Sequence, residues 1–135
     1  MNRLCFLSFL ILVLGCQEEI QEEPEAVDTI KLTVTSTAYN SVESQTKKGN
    51  IGLAAWGDIL EPGEKAIAGS RDLIDMGLGH NAVVEIEGLD GIYIVKDKMN
   101  KRWEKKIDIY MGQDEDAAIE WGKQKVEIEF LADTE

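Results

Sequence analysis

Cysteine is confined to positions 5 and 16, so no disulfide and no Cys-ligated metal site can form in the remainder of the chain. Histidine occurs once, at position 80, with no second His or Cys in that remainder to share a metal. His80 follows Met76-Gly77-Leu78-Gly79 and is expected as a surface turn residue. A Ser-His-Asp triad would rest on that one His, and there is no Gly-x-Ser-x-Gly elbow. Neither Gly77-Leu78-Gly79 nor Gly88-Leu89-Asp90-Gly91 makes a phosphate-binding fingerprint. No metal and no cofactor are expected. Basic charge is also scarce: 14 Lys and Arg stand against 26 Asp and Glu, a net charge of -12. Nucleic acid is excluded as a partner on that balance, because binding it requires a cationic surplus that releases counterions. At 135 residues the chain holds one modest domain and no second core.

Long apolar runs are absent except for one. Leu4 to Leu14, broken only by Ser8 and preceded by Arg3, has the layout of a secretory signal and is short for a permanent membrane span. It ends in Val13-Leu14-Gly15-Cys16, which resembles a bacterial lipobox. That resemblance implies cleavage after residue 15, lipidation of Cys16 and anchoring in a membrane. Loss of residues 1–15 removes only Arg3, leaving 13 basic against 26 acidic side chains. Residues 16–28 carry six of those acids and no Lys or Arg, as suits a solvated tether. The Cys-Gln-Glu-Glu start is similar to export signals of surface lipoproteins. The expected location is the outer membrane, on its periplasmic side or at the cell surface.

Residues 29–135 form the domain. Alternating, β-branched segments predict six strands at 30–35, 65–69, 82–87, 92–96, 106–110 and 125–130. Gly88-Leu89-Asp90-Gly91 predicts a hairpin connection. Two short helices interrupt the strands, one capped by Ser70 and stopped by Gly77, the other capped by Asp114 and ending at Trp121-Gly122. The expected fold is mainly β, a small closed barrel with two short helices.

Candidate chemistry falls to carboxylates. Asp97 and Asp108 lie in or at the end of strands otherwise apolar or basic. Alternation turns Asp108 away from Ile107 and Ile109, toward the side shared with Lys106 and Tyr110. From Lys96 to Lys106 there are six basic residues, Lys101 and Arg102 among them, together with Trp103. Either this is a charge-balanced hairpin or it is an acidic pair within a basic, Trp-bearing cleft.

The strings Val34-Thr35-Ser36-Thr37-Ala38-Tyr39, Ala55-Trp56-Gly57, Lys65-Ala66-Ile67-Ala68, Asp75-Met76-Gly77, Lys96-Asp97, Lys106-Ile107-Asp108-Ile109-Tyr110 and Glu120-Trp121-Gly122 together resemble the 3D (three-aspartate) domain. That domain is similar to the C-terminal barrel of the lytic transglycosylase MltA and to expansin domain 1. The resemblance implies a six-stranded double-psi β-barrel, with Asp97 on the second aspartate and Asp108 on the third, catalytic one. Thr37 and Tyr39 fall on the opening motif and, with Trp103, Lys101 and Arg102, are the expected substrate contacts. Ser70 stands where the family has its first aspartate, and residues 98–103 stand where it has Gly-Gly. The implied partner is the peptidoglycan glycan strand and the implied activity is lytic transglycosylation with 1,6-anhydro products. Asp108 is then an acid that must start protonated, and repulsion from Asp97 is the expected source of its raised pKa. An expansin-like, non-hydrolytic glycan binder is the alternative.

Overall fold

The alternation read from the sequence becomes a barrel wall in the computed structural model, which describes residues 12, 15–16, 27–41 and 52–132. The elements follow the order β1 (Thr29–Tyr39), β2 (Ala66–Gly69), α1 (Arg71–Asp75), β3 (Val83–Ile86), β4 (Tyr93–Lys98), β5 (Lys106–Tyr110), α2 (Glu115–Trp121) and β6 (Gln124–Leu131). Six strands and two helices were expected, and each lies within a few residues of its expected place. The largest difference is β1, which runs on from the expected end at residue 35 to Tyr39 because it pairs with β6 first and β5 afterwards.

The strands close in the order β1-β5-β2-β4-β3-β6. Two pairs, β1 with β5 and β2 with β4, are parallel, and the other four are antiparallel. Closure leaves no strand edge unpaired. Inside lie Val34, Ile67, Val84, Val95, Ile107, Ile109 and Ile128, all at most 1% exposed, with Leu73 of α1 and Leu78 closing one end. Each such side chain contributes roughly 1.5–3 kcal/mol by leaving water. β3 and β4 are joined through Gly88 and Gly91, whose φ values of 86° and 83° suit the absence of a Cβ.

The helix ends differ from one another. Asp114 caps α2 as expected, its carboxylate accepting the Ala117 amide at 3.0 Å, and Gly122 closes the helix with φ 63°. Ser70 precedes α1 but makes no side-chain cap. Its fully buried hydroxyl instead accepts the Lys106 amide at 3.0 Å, and its own amide donates to the Lys106 carbonyl at 2.9 Å. The reason is local supply: the first amide of β5 has Ser70 as its acceptor, whereas at the start of α1 the Leu73 amide already donates to the Ser70 carbonyl at 3.1 Å.

Cys16 is an exposed free thiol. Most of the expected signal segment, and residues 17–26 of the expected tether, lie outside the described residues. Among the described residues no helix is long and apolar enough to cross a membrane.

Candidate functional site

Four strands bring one row of side chains to the outer surface of the barrel. Thr37 of β1 is the register partner of Asp108 on β5, Asp108 that of Ala68 on β2, and Ala68 that of Asp97 on β4. Register partners project from the same face of a sheet, so both aspartates flank the methyl group of Ala68. Two strand spacings separate their backbones, about 10 Å. Ala68 keeps the floor between them low.

Asp97 joins this row through a β-bulge. Ile67 pairs with Val95, but the next residue, Ala68, pairs with Asp97, so Lys96 is the extra residue. Both Ile67 and Val95 are fully buried, and plain alternation would have placed Lys96 opposite Ala68. With the bulge, Lys96 turns toward Asp58 and Asn81 instead, while Asp97 stands in the row.

Asp97, Asp108, Tyr39 and Trp103 line one open cavity of about 250 Å³, completed by Ala68, Lys98, Met99 and Asn100. Of the residues expected from the sequence, Thr37 reaches this site through Asp108, to which its hydroxyl donates at 2.9 Å. Lys101 and Arg102 do not line the cavity. Lys101 is exposed in a turn, and the Arg102 guanidinium lies 4.8 Å from the centre of the Trp103 ring. The Lys106 ammonium is closer still, 3.6 Å from that centre, so Trp103 carries cations at its π-face. Trp56 stacks on His80 with ring centres 4.7 Å apart and lies outside the cavity.

The two acids occupy different environments. Burial pushes the Asp108 carboxyl above its ordinary value, the Thr37 hydrogen bond and Lys106 act against this, and Asp97 adds to it. Burial is the main cause, and like-charge repulsion, the expected source, is secondary. Asp97 Oδ1 is already engaged, accepting the Ala55 amide at 2.8 Å and the Lys98 amide at 2.9 Å. It is as much a fastening for residues 53–59 as an acid. Beside them the Tyr39 hydroxyl is buried and has no hydrogen-bond partner among the described residues. Burial first, and then Asp97, Asp108 and Tyr110, push its pKa upward, so the phenol keeps its proton and remains a donor. Its ring packs against Tyr110 at 5.5 Å, and Tyr110 is itself tied to Ser41 and Leu60.

Asp72 is not a substitute for the missing first aspartate. Its Oδ2 accepts the Lys105 amide at 2.8 Å, fixing the turn ahead of β5, and it does not line the cavity. The surroundings are cationic: among the described residues Lys98, Lys101, Arg102, Lys105 and Lys106 make no ion pair. Sequence reasoning missed Ala68 as a lining residue, whereas Met99 and Asn100 belong to the segment 98–103 that stands in place of Gly-Gly. It also missed the small hairpin at 53–59, for which the glycines at 52 and 57 were the available signal.

No protein-family model and no curated sequence matches the chain. Solved structures do. An apo expansin from Clavibacter michiganensis is 14% identical, with a TM-score of 0.51, over 78% of this chain and 52% of that one. The fold is the expansin-type double-psi β-barrel. A mutant of the same expansin, in complex with cellohexaose, is 13% identical with a TM-score of 0.45, covering 78% and 51% of the two chains. The double-psi barrel described here thus spans about half the length of those expansin chains.

Proposed function

We propose that this chain is an expansin-like module that binds cell-wall glycan in the trench between Asp97 and Asp108 and does not hydrolyse it. The observation that carries the reading is the row Thr37–Asp108–Ala68–Asp97 opening, with Tyr39 and Trp103, on a single cavity of a barrel with the expansin fold. Asp108 and Asp97 offer polar groups to sugar hydroxyls, and Trp103 offers an apolar edge. The unpaired cations around Trp103 suit a glycan that bears carboxylates, as peptide-substituted peptidoglycan does. The engagement of Asp97 Oδ1 by two backbone amides favours an orienting role over acid–base work. In this reading Cys16 is lipidated and holds the module at the outer membrane.

A second reading is favoured by one observation, the raised pKa of Asp108. As a 3D-domain lytic transglycosylase, the protonated Asp108 would give its proton to the glycosidic oxygen as the bond to the anomeric carbon breaks. Its carboxylate would then take the proton of the sugar's 6-hydroxyl as that oxygen bonds to the anomeric carbon, closing a 1,6-anhydro ring. Incubation of the protein and of Asp108→Asn with purified sacculi separates the two. Co-sedimentation without soluble anhydro-sugar fragments supports the binder. Release of such fragments by the protein and not by the variant establishes the enzyme, and absence of both sinks the glycan reading.

A further inference from the structure

The wall of the trench beside Asp97 is a separate device. Residues 53–59 form a miniature hairpin with a bridge between Leu53 and Ile59, and the Gly57 amide closes a turn onto the Ala54 carbonyl at 3.0 Å. Ala55 and Trp56 are the two central residues of that turn. The Ala55 amide is therefore not used inside the turn, and it donates to Asp97 Oδ1. Trp56 lies against His80, the rings inclined by 23°. His80 Nε2 is hydrogen-bonded to Asp58 Oδ2, on the returning arm of the same hairpin. Lys96, the bulged residue adjoining Asp97, stands 3.6 Å from Asp58 Oδ1 and donates to Asn81 at 2.7 Å.

We infer that His80 is a positioning residue for the trench: by gripping Asp58 and Trp56 it holds the hairpin where the Ala55 amide fixes the Asp97 carboxylate. The imidazole touches the hairpin twice, once through charge and once through its ring, and touches the cavity nowhere. The charged groups facing it are Asp58 from the hairpin and Lys96 from β4, with Lys98 placed 5.8 Å from the centre of the Trp56 ring. The hydrogen bond from His80, more than the Lys96 charge, holds the Asp58 carboxyl below its ordinary range, so it stays ionised where imidazoles titrate. A protonated His80 makes an ion pair with it, and a neutral one makes only a hydrogen bond. The consequence of this grip for ligand rests on the glycan reading given above, but the coupling itself does not.

The test uses the protein without glycan. Two-dimensional amide NMR between about pH 5 and 8 follows the Ala55 amide, and carbon-13 spectra follow the Asp97 carboxyl and the His80 ring. The expected result is an Ala55 amide and an Asp97 carboxyl that shift with the midpoint of the His80 ring. In His80→Gln, which keeps a donor but no titration, both become flat across that range. In Asp58→Asn they become flat as well. An Ala55 amide that ignores pH while His80 titrates overturns the inference, as does an unchanged Ala55–Asp97 pair in His80→Ala. With sacculi added, His80→Ala is expected to bind more weakly than the protein, and His80→Gln to recover part of the loss. NMR coupling in a protein that does not bind sacculi would refute the glycan reading and leave the positioning role standing.

Discussion

Thr37 donates its hydroxyl hydrogen to Asp108 across a parallel strand pair in which the two residues are register partners. The bond favours the ionised carboxylate, while the burial that surrounds it favours the acid, and burial wins. Replacing Thr37 with Val removes only the restraining influence. Asp108 in Thr37→Val should titrate at higher pH than in the parent, as read by carbon-13 NMR of the carboxyl. A midpoint that stays put or falls would show that the hydroxyl does not bear on Asp108.

Asp108 binds its proton more readily folded than unfolded, so its ionisation works against the fold. Stability from this group is present at low pH and is lost as pH climbs from the unfolded pKa through the raised folded one. Asp108→Asn keeps an acceptor for Thr37 and never ionises. Its melting temperature should exceed the parent's by a few degrees near neutrality, and the difference should shrink toward pH 4. Calorimetry at the two pH values checks both halves.

Ser70 has the opposite character. Its hydroxyl is the acceptor for the Lys106 amide in a place closed to water, so Ser70→Ala leaves that amide unsatisfied. A loss of about 1–3 kcal/mol is expected in urea unfolding. The loss should appear with no change in the chemical shift of Asp97, which lies on another strand.

The unpaired cations around Trp103 predict a binding that salt weakens. Retention on sacculi should drop steeply between about 50 and 500 mM salt, since the Debye length shortens over that range. Trp103→Ala should cost about tenfold in affinity and also flatten the salt dependence, because Arg102 and Lys106 lose the ring that holds them. Sedimentation at several salt concentrations reads out both effects.

The barrel was legible because its strands alternate cleanly. Residues 106–110 show Ile107 and Ile109 inward and Asp108 outward, and period two suffices for that. Closure followed from six short strands and few residues. The pairing of Asp97 with Ala68 was not legible, because the bulge at Lys96 breaks the alternation that a strand pattern relies on. Nor was the source of Asp108's raised pKa, since burial depends on what covers a residue and only neighbouring charges are visible in sequence. Ser70 illustrates a third kind of miss: its place before a helix favoured a cap, while the stronger demand came from an amide 36 residues later. The hairpin at 53–59 is held by His80, Asp58 and Asp97, contacts that no local pattern announces.

The bulge at Lys96 makes the length of β4 a matter of inheritance. Side chains along that strand can be exchanged one at a time, but losing the bulged residue between Val95 and Asp97 would leave the aspartate opposite Ala68 by plain alternation while removing the ammonium that reaches Asp58 and Asn81. A residue gained there would instead seat the newcomer opposite Ala68 and turn the carboxylate among the isoleucines. Relatives of this barrel should therefore tolerate drift in almost every letter of β4 and hardly any insertion or deletion there.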